Sequence, residues 1–205
     1  MVRPPTQLDG ETLSLELPKT IQLHVTPEQF AALAASNREL QLERTAQGEL
    51  IVNPPTGWET GERNFSIIGQ LYRWYEGQGC TGKAFECSTG FTLANGAIRS
   101  PDAGWIRQER WDALTDEEKG TFANICPDFV VELRSGSDTV TSLQAKMQEY
   151  LDNGARLGWL IDPKTRTVSV YRVGLEVEVL SNPTELSGED VLPGFVLDLS
   201  RVWGG

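Results

Sequence analysis

The segment from Cys126 to Pro163, "CPDFVVELRSGSDTVTSLQAKMQEYLDNGARLGWLIDP", restricts the fold more than any other part of the chain. It opens with an apolar, β-branched run, Phe129 to Leu133, closed by serines and Gly136, which is the pattern of a buried strand. Val140, Leu143, Met147, Tyr150 and Leu151 then recur at helical spacing, and Asn153-Gly154 ends the helix. A second apolar run, "RLGWLIDP", follows at once. Strand, helix and strand in so short a span make a crossover, whose strands are expected to be parallel with a right-handed connection. Such a unit belongs in a sheet with helices on its faces.

The flanking segments fit that sheet. Residues 13–25 suggest a strand. In "TPEQFAALAAS", Thr26 is an N-cap, Pro27 takes the first helical position and Gln29 completes a capping box. "ELQLERTAQGELIVN" reads as two strands around a Gln-Gly turn. "PPTGWETGERNFSIIGQLYRWYEGQG" reads as a loop and a helix of about four turns, with Trp58, Phe65, Ile68, Tyr72 and Tyr75 expected toward the core. "FTLANGAIR" is a hairpin on Asn95-Gly96, and Ala103–Ile106 a strand. Residues 107–124 are polar, an excursion of short helices. "TVSVYRV" and "EVEVL" are further strands, and "LPGFVLDLSRVW" closes the chain. The expected class is α/β, a mixed sheet flanked by helices. At 205 residues we expect a single domain over 1–205, with an N-terminal β/α extension over 1–53 and a core over 54–205.

Several functions are excluded early. A net charge of −11 argues against a generic nucleic-acid coat, although an enzyme can keep its cations local. His24 is the single histidine, so histidine-rich zinc sites are out, and no serine or cysteine stands in a nucleophile-elbow context. Phosphate-loop and dinucleotide glycine motifs are absent. No apolar run approaches the ~20 residues of a membrane span. Cys80, Cys87 and Cys126 match no zinc spacing, and the first residues lack a signal-peptide apolar segment. We expect a reduced, cytoplasmic protein without membrane contact.

The first strand of the crossover carries an anomaly. Alternation puts Val130, Glu132 and Arg134 on one face and Phe129, Val131 and Leu133 on the other. Upstream, Asp102 follows Pro101 at the start of a strand. Downstream, Lys146 flanks the apolar stripe of the helix beside Leu143 and Tyr150, where its stem can carry the ammonium to the strand end. Asp102, Glu132, Arg134 and Lys146 could then converge. Metal-dependent phosphodiester hydrolysis uses such a set: two carboxylates for a hard cation such as Mg²⁺ (or Mn²⁺) and a cation beside the phosphate. Arginine is a poor base, so Lys146 is the better proton acceptor. Each residue also has a structural reading: a Pro-Asp turn, a same-face ion pair, a snorkelling lysine. Asp128 shares the face of Glu132 and either binds metal or caps the strand entry.

With those residues in view, "SPDAGWI" and the 126–163 block strongly resemble restriction-endonuclease-like proteins of the Uma-two type, abundant in cyanobacteria and assigned to the PD-(D/E)XK nuclease superfamily. The resemblance runs from "PPTGWETGERN" to "LPGFVLDL". It implies a restriction-endonuclease-like core, Mg²⁺-dependent cleavage of DNA, Asp102 as the motif aspartate and Glu132 as the second acid. The superfamily lysine, two positions later, is here Arg134, and Lys146 looks like a relocated lysine. Because the superfamily often adds an acid from its first helix, Glu59 and Glu62 are candidates, although Thr56 and Glu59 also fit a capping box. Ser88-Thr89-Gly90 is a strand-end turn expected near the cleft. The alternatives are a nucleic-acid-binding or regulatory protein with a degenerate site, and a different metal-dependent hydrolase. Double-strand cutting is simplest with two sites, so a homodimer is expected, with some of Trp58, Trp74, Trp105, Trp111 and Trp203 at its interface.

Overall fold

The structure is a computed structural model and describes residues 22–204. Most of the strand expected over 13–25 lies outside the described residues; within them His24 forms an isolated bridge to Glu49 and is exposed. The first helix, α1 (Pro27–Ser36), starts as its sequence requires: Thr26 accepts from the Gln29 amide, and the Gln29 side chain accepts from the Thr26 amide. The strands β1 (Gln41–Arg44) and β2 (Leu50–Asn53) form the expected hairpin, with Gly48 at a φ of 92° in its turn. Next come α2 (Trp58–Gly77), β3 (Lys83–Glu86), β4 (Phe91–Thr92) and β5 (Ile98–Arg99). Leu93 donates to the Ala97 carbonyl at 2.8 Å to close the Asn95-Gly96 hairpin. Then follow β6 (Ala103–Ile106), α3 (Gln108–Asp112), β7 (Phe129–Leu133), α4 (Val140–Asp152), β8 (Leu157–Asp162), β9 (Thr167–Arg172), β10 (Glu178–Ser181), β11 (Glu185–Ser187) and β12 (Val196–Asp198).

A six-stranded sheet in the order β10-β9-β8-β7-β6-β3 forms the centre. Only β7 and β8 run parallel in it, joined by α4 as the crossover pattern requires. Alternation along β7 gives the sheet two different faces. Phe129, Val131 and Leu133 meet Ile67 and Leu71 of α2 and Leu186, Phe195 and Leu197 from the β11–β12 region. Val130 meets Leu143, Met147 and Tyr150 of α4, with Phe91 and Leu93 closing that side. Helices on both faces leave the central strands buried throughout, which is why β7 and β8 read as near-continuous apolar runs.

A second sheet, β2-β1-β5-β4, ties the N-terminal hairpin to the Asn95-Gly96 hairpin through Arg44 opposite Ile98. Strand pairing therefore crosses residue 53, the division drawn between extension and core. Arg44 cements the junction by donating to the Val25 and Gly96 carbonyls, each at 2.8 Å.

Helix α2 departs from expectation in three ways. It runs 20 residues, longer than four turns. Its N-cap is Gly57, with no side-chain cap, so no capping box joins Thr56 to Glu59. Its buried face is Asn64, Ile67 and Leu71; of the five residues expected toward the core Ile68 and Tyr75 pack against it, while Trp58, Phe65 and Tyr72 point to solvent. Both stripes have helical spacing; the sheet and the β11–β12 hairpin take the one whose Trp74 ring reaches Trp105 and Phe195. The tryptophans are correspondingly reassigned. Trp74, Trp105 and Trp203 join the α2-side core, Trp111 packs on Phe85 in the other, and Trp58 alone of the five is exposed.

Candidate active site

The antiparallel ladder between β6 and β7 pairs Ala103 with Val131. Asp102 stands one residue before β6, just beyond that pair and close enough for its charge to act on Glu132. The Leu133 amide, past the last ladder pair, donates to Asp102 Oδ2 at 2.7 Å and fixes the carboxyl beside β7. Asn64 of α2 donates to the other oxygen at 3.1 Å. That contact explains a buried asparagine on an otherwise apolar helix face.

Lys146 enters from α4, one turn before Tyr150, on the Glu132 side of the sheet. Its ammonium lies 2.8 Å from Glu132 Oε1 and 2.8 Å from Glu43 Oε1, and it donates to the Ser100 carbonyl at 3.3 Å. All three of its N–H bonds are used. Tyr150 donates to Glu132 Oε1 at 3.1 Å. Glu43 is also held by the Ser100 amide at 3.0 Å and by Arg99 at 3.2 Å. Arg99 in turn meets Glu149 of α4 at 2.6 Å.

The cluster thus holds four carboxylates, Glu43, Asp102, Glu132 and Glu149, against two cations, Arg99 and Lys146. The imbalance appears in the titrations. Burial pushes Glu132 up to about 8; Lys146 works against the rise, and Asp102 and Glu43 add to it. Burial also raises Asp102, against the pull of the Leu133 amide. At Glu43 burial is outweighed by Lys146 and Arg99, so its carboxyl titrates below the ordinary range. Burial opposes the charge on Lys146, but Glu132 and Glu43 together hold its ammonium above the ordinary lysine value. With its ammonium held up in this way, Lys146 is placed as a cation rather than as the proton acceptor expected from the sequence. It is a fixed cation and hydrogen-bond donor.

A cavity of about 700 Å³ opens over this cluster, lined by Asp102, Glu132, Lys146 and Glu43 together with Ser135, Asp138 and Thr139. Among the described residues no three metal-ligating side chains converge on one point. The donors present fit a different mode: Mg²⁺ is commonly held by one or two carboxylates, with water and substrate phosphate completing its shell. Asp102 and Glu132 meet that requirement, each still having a lone pair beyond its protein partners.

The remaining candidates lie elsewhere. Arg134 follows the end of β7 and pairs with Asp162 of β8 at 2.6 Å. Its amide still donates to the Ile161 carbonyl at 2.9 Å, so it continues the β7–β8 pairing and keeps the face of Glu132, but it does not line the cavity. Glu59 and Glu62 are exposed on α2, Glu59 pairing with Arg63 at 3.6 Å; neither lines the cavity. The residue α2 contributes is Asn64. Asp128 caps the strand entry: it is buried, accepts from the Arg107 amide at 2.9 Å and pairs with Arg110 at 3.0 Å. The Ser88-Thr89 turn is organised by Glu86 next to Cys87, which reaches the cavity rim. Glu43, Arg99 and Glu149 were missed. The only signal for Glu43 was an acid in a four-residue strand, and its partners arrive from residues 56 and 103 positions away.

A family model described as "Uma2: Putative restriction endonuclease" matches residues 27–200. Among solved structures, the chain is similar to one described as a "putative nuclease belonging to DUF820" from Anabaena variabilis. The two share 24% identity with a TM-score of 0.72, over 87% of this chain and 97% of that one. No curated protein matches. The structural likeness supports the mixed α/β fold, and the family match spans every residue of the cluster.

Proposed function

Because the chain belongs to the Uma2 family, we propose that it is a metal-dependent DNA endonuclease whose site is the Asp102–Glu132–Lys146 cluster. The observation that carries this reading is the pair of carboxylates at the strand ends, Asp102 just before β6 and Glu132 on β7, with the half-buried Lys146 on Glu132, at an open polar cavity. Asp102 and Glu132 would hold Mg²⁺ or Mn²⁺, which when bound polarises the scissile phosphate and lowers the pKa of a coordinated water. Lys146 would place a positive charge beside the phosphate oxygens as charge builds in the transition state. Glu43 is a positioning residue: with the Ser100 carbonyl it fixes where the Lys146 ammonium stands. Leu133 and Asn64 do the same for Asp102.

The test is cleavage of supercoiled, linear duplex and single-stranded DNA with Mg²⁺ or Mn²⁺. Asp102→Asn retains an oxygen to accept from Leu133, so the fold should survive while the charge is lost. We expect metal-dependent cleavage in the native protein, reduced on the order of 10²-fold or more in Asp102→Asn and in Lys146→Met. Binding of DNA without cleavage would favour a degenerate nucleic-acid-binding protein. Cleavage of other phosphodiesters but not DNA would favour a different hydrolase.

A further inference from the structure

Helix α2 presents to solvent a stripe that the fold leaves unused. Trp58 is 77% exposed, Phe65 79% and Tyr72 56%. The three rings recur every seven residues, two helical turns, and so line one face. Gly61 and Gly69 fall on the same face between them, and a Cβ added at either would meet nothing within 4 Å. The order of residues is symmetrical about Phe65. Gly61 and Gly69 stand four positions to either side of it, and Trp58 and Tyr72 stand seven. A face with that symmetry fits a copy of itself run antiparallel: Phe65 meets Phe65, each Trp58 meets a Tyr72, and the glycines leave room between rings.

We propose that α2 is the twofold interface of a homodimer, its axis passing beside Phe65. From their fractional exposures, the three rings leave roughly 400 Å² uncovered per copy, about half of the ~800 Å² per partner in a standard interface. The charges also fit. Glu62 and Arg73 lie on the same flank of the stripe, and both are exposed. The twofold brings Glu62 of one copy within about 7.5 Å, along the helix axis, of Arg73 of the other, a gap two long side chains span. For a chain of net charge −11, such local matching is needed to offset general repulsion. The cavities follow from the same axis. Thr60 lies on the cavity rim, and antiparallel pairing sets the two Thr60 positions about 15 Å apart along the helices. This inference is independent of cleavage, and its test reads mass.

The experiment is sedimentation equilibrium on the full chain at tens of micromolar. The native protein should give twice the 22.7 kDa chain mass. Phe65→Arg and, separately, Gly69→Glu should give the monomer mass with unchanged circular dichroism; both positions face open solvent, so two independent variants guard against a folding defect. Glu62→Arg should weaken the dimer tenfold or more, and adding Arg73→Glu should restore it. A native monomer mass at these concentrations overturns the proposal. So does a dimer that survives Phe65→Arg, which would move the interface to another surface such as the β10 edge, where Val177 and Val179 are exposed.

Discussion

Among single residues, Glu132 has the most consequential environment. An isolated buried carboxylate would be untenable, and this one is kept by Lys146, Tyr150 and a raised pKa. The rise has a definite effect on stability. The unfolded chain releases this proton near 4.5, while the folded chain, without metal, holds it to about 8. Between those values the native state binds more protons, so stability falls as pH rises through that window. Thermal melts in chelator from pH 5 to pH 8 should show the midpoint dropping by roughly 5–10 °C. Glu132→Gln should be much flatter over the same range. A native midpoint that climbs with pH, or a variant with the same slope, would mean that Lys146 keeps Glu132 ionised throughout. Glu43 shows the opposite behaviour a few ångströms away, because it collects two cations where Glu132 collects one.

At the scale of elements, what brings Lys146 to the site is the seating of α4 on β8. Gly158 makes that seating close: a Cβ there would overlap Met147 Cε and stand 3.3 Å from Val130 Cγ2. Met147 adjoins Lys146, so forcing the helix outward moves the ammonium. Gly158→Val should cost about 1–3 kcal/mol of stability and should also lower cleavage in conditions where the protein is still fully folded. Melts and rates measured on the same sample separate the two effects. Full activity in the folded variant would show that Met147 yields alone and α4 stays in place. The elements themselves were largely legible in the sequence. Caps, turns and periodicity located α1, the two hairpins and the β7-α4-β8 crossover, since each is set by residues close in the chain. The exposed side of α2 was not legible, because its two stripes both have helical spacing and only the β11–β12 packing decides between them. That Asp102, Glu132 and Lys146 come together was legible because strand alternation and a helical wheel place them. Glu43, Arg99 and Glu149 were not, because a second sheet brings them in across long sequence separations.

The whole molecule is one central sheet with a different core on each face, and the cluster lies beyond the last ladder pair of β6 and β7. That location lets charged groups stand on strands that are otherwise buried, since the cavity opens there. Among the described residues no helix is long and apolar enough to cross a membrane. The acidic balance of the cluster repeats that of the chain, and on the proposed reading a bound cation would offset it for an anionic substrate. The central claim is that Asp102 and Glu132 share that cation. It is tested most directly by anomalous diffraction from a crystal soaked in Mn²⁺. The account predicts an anomalous peak within about 2.0–2.4 Å of an oxygen from each of the two carboxylates, beside Lys146, and its loss in Asp102→Asn. A saturating soak that leaves this position without a peak, or that places manganese elsewhere and unchanged in the variant, would contradict it.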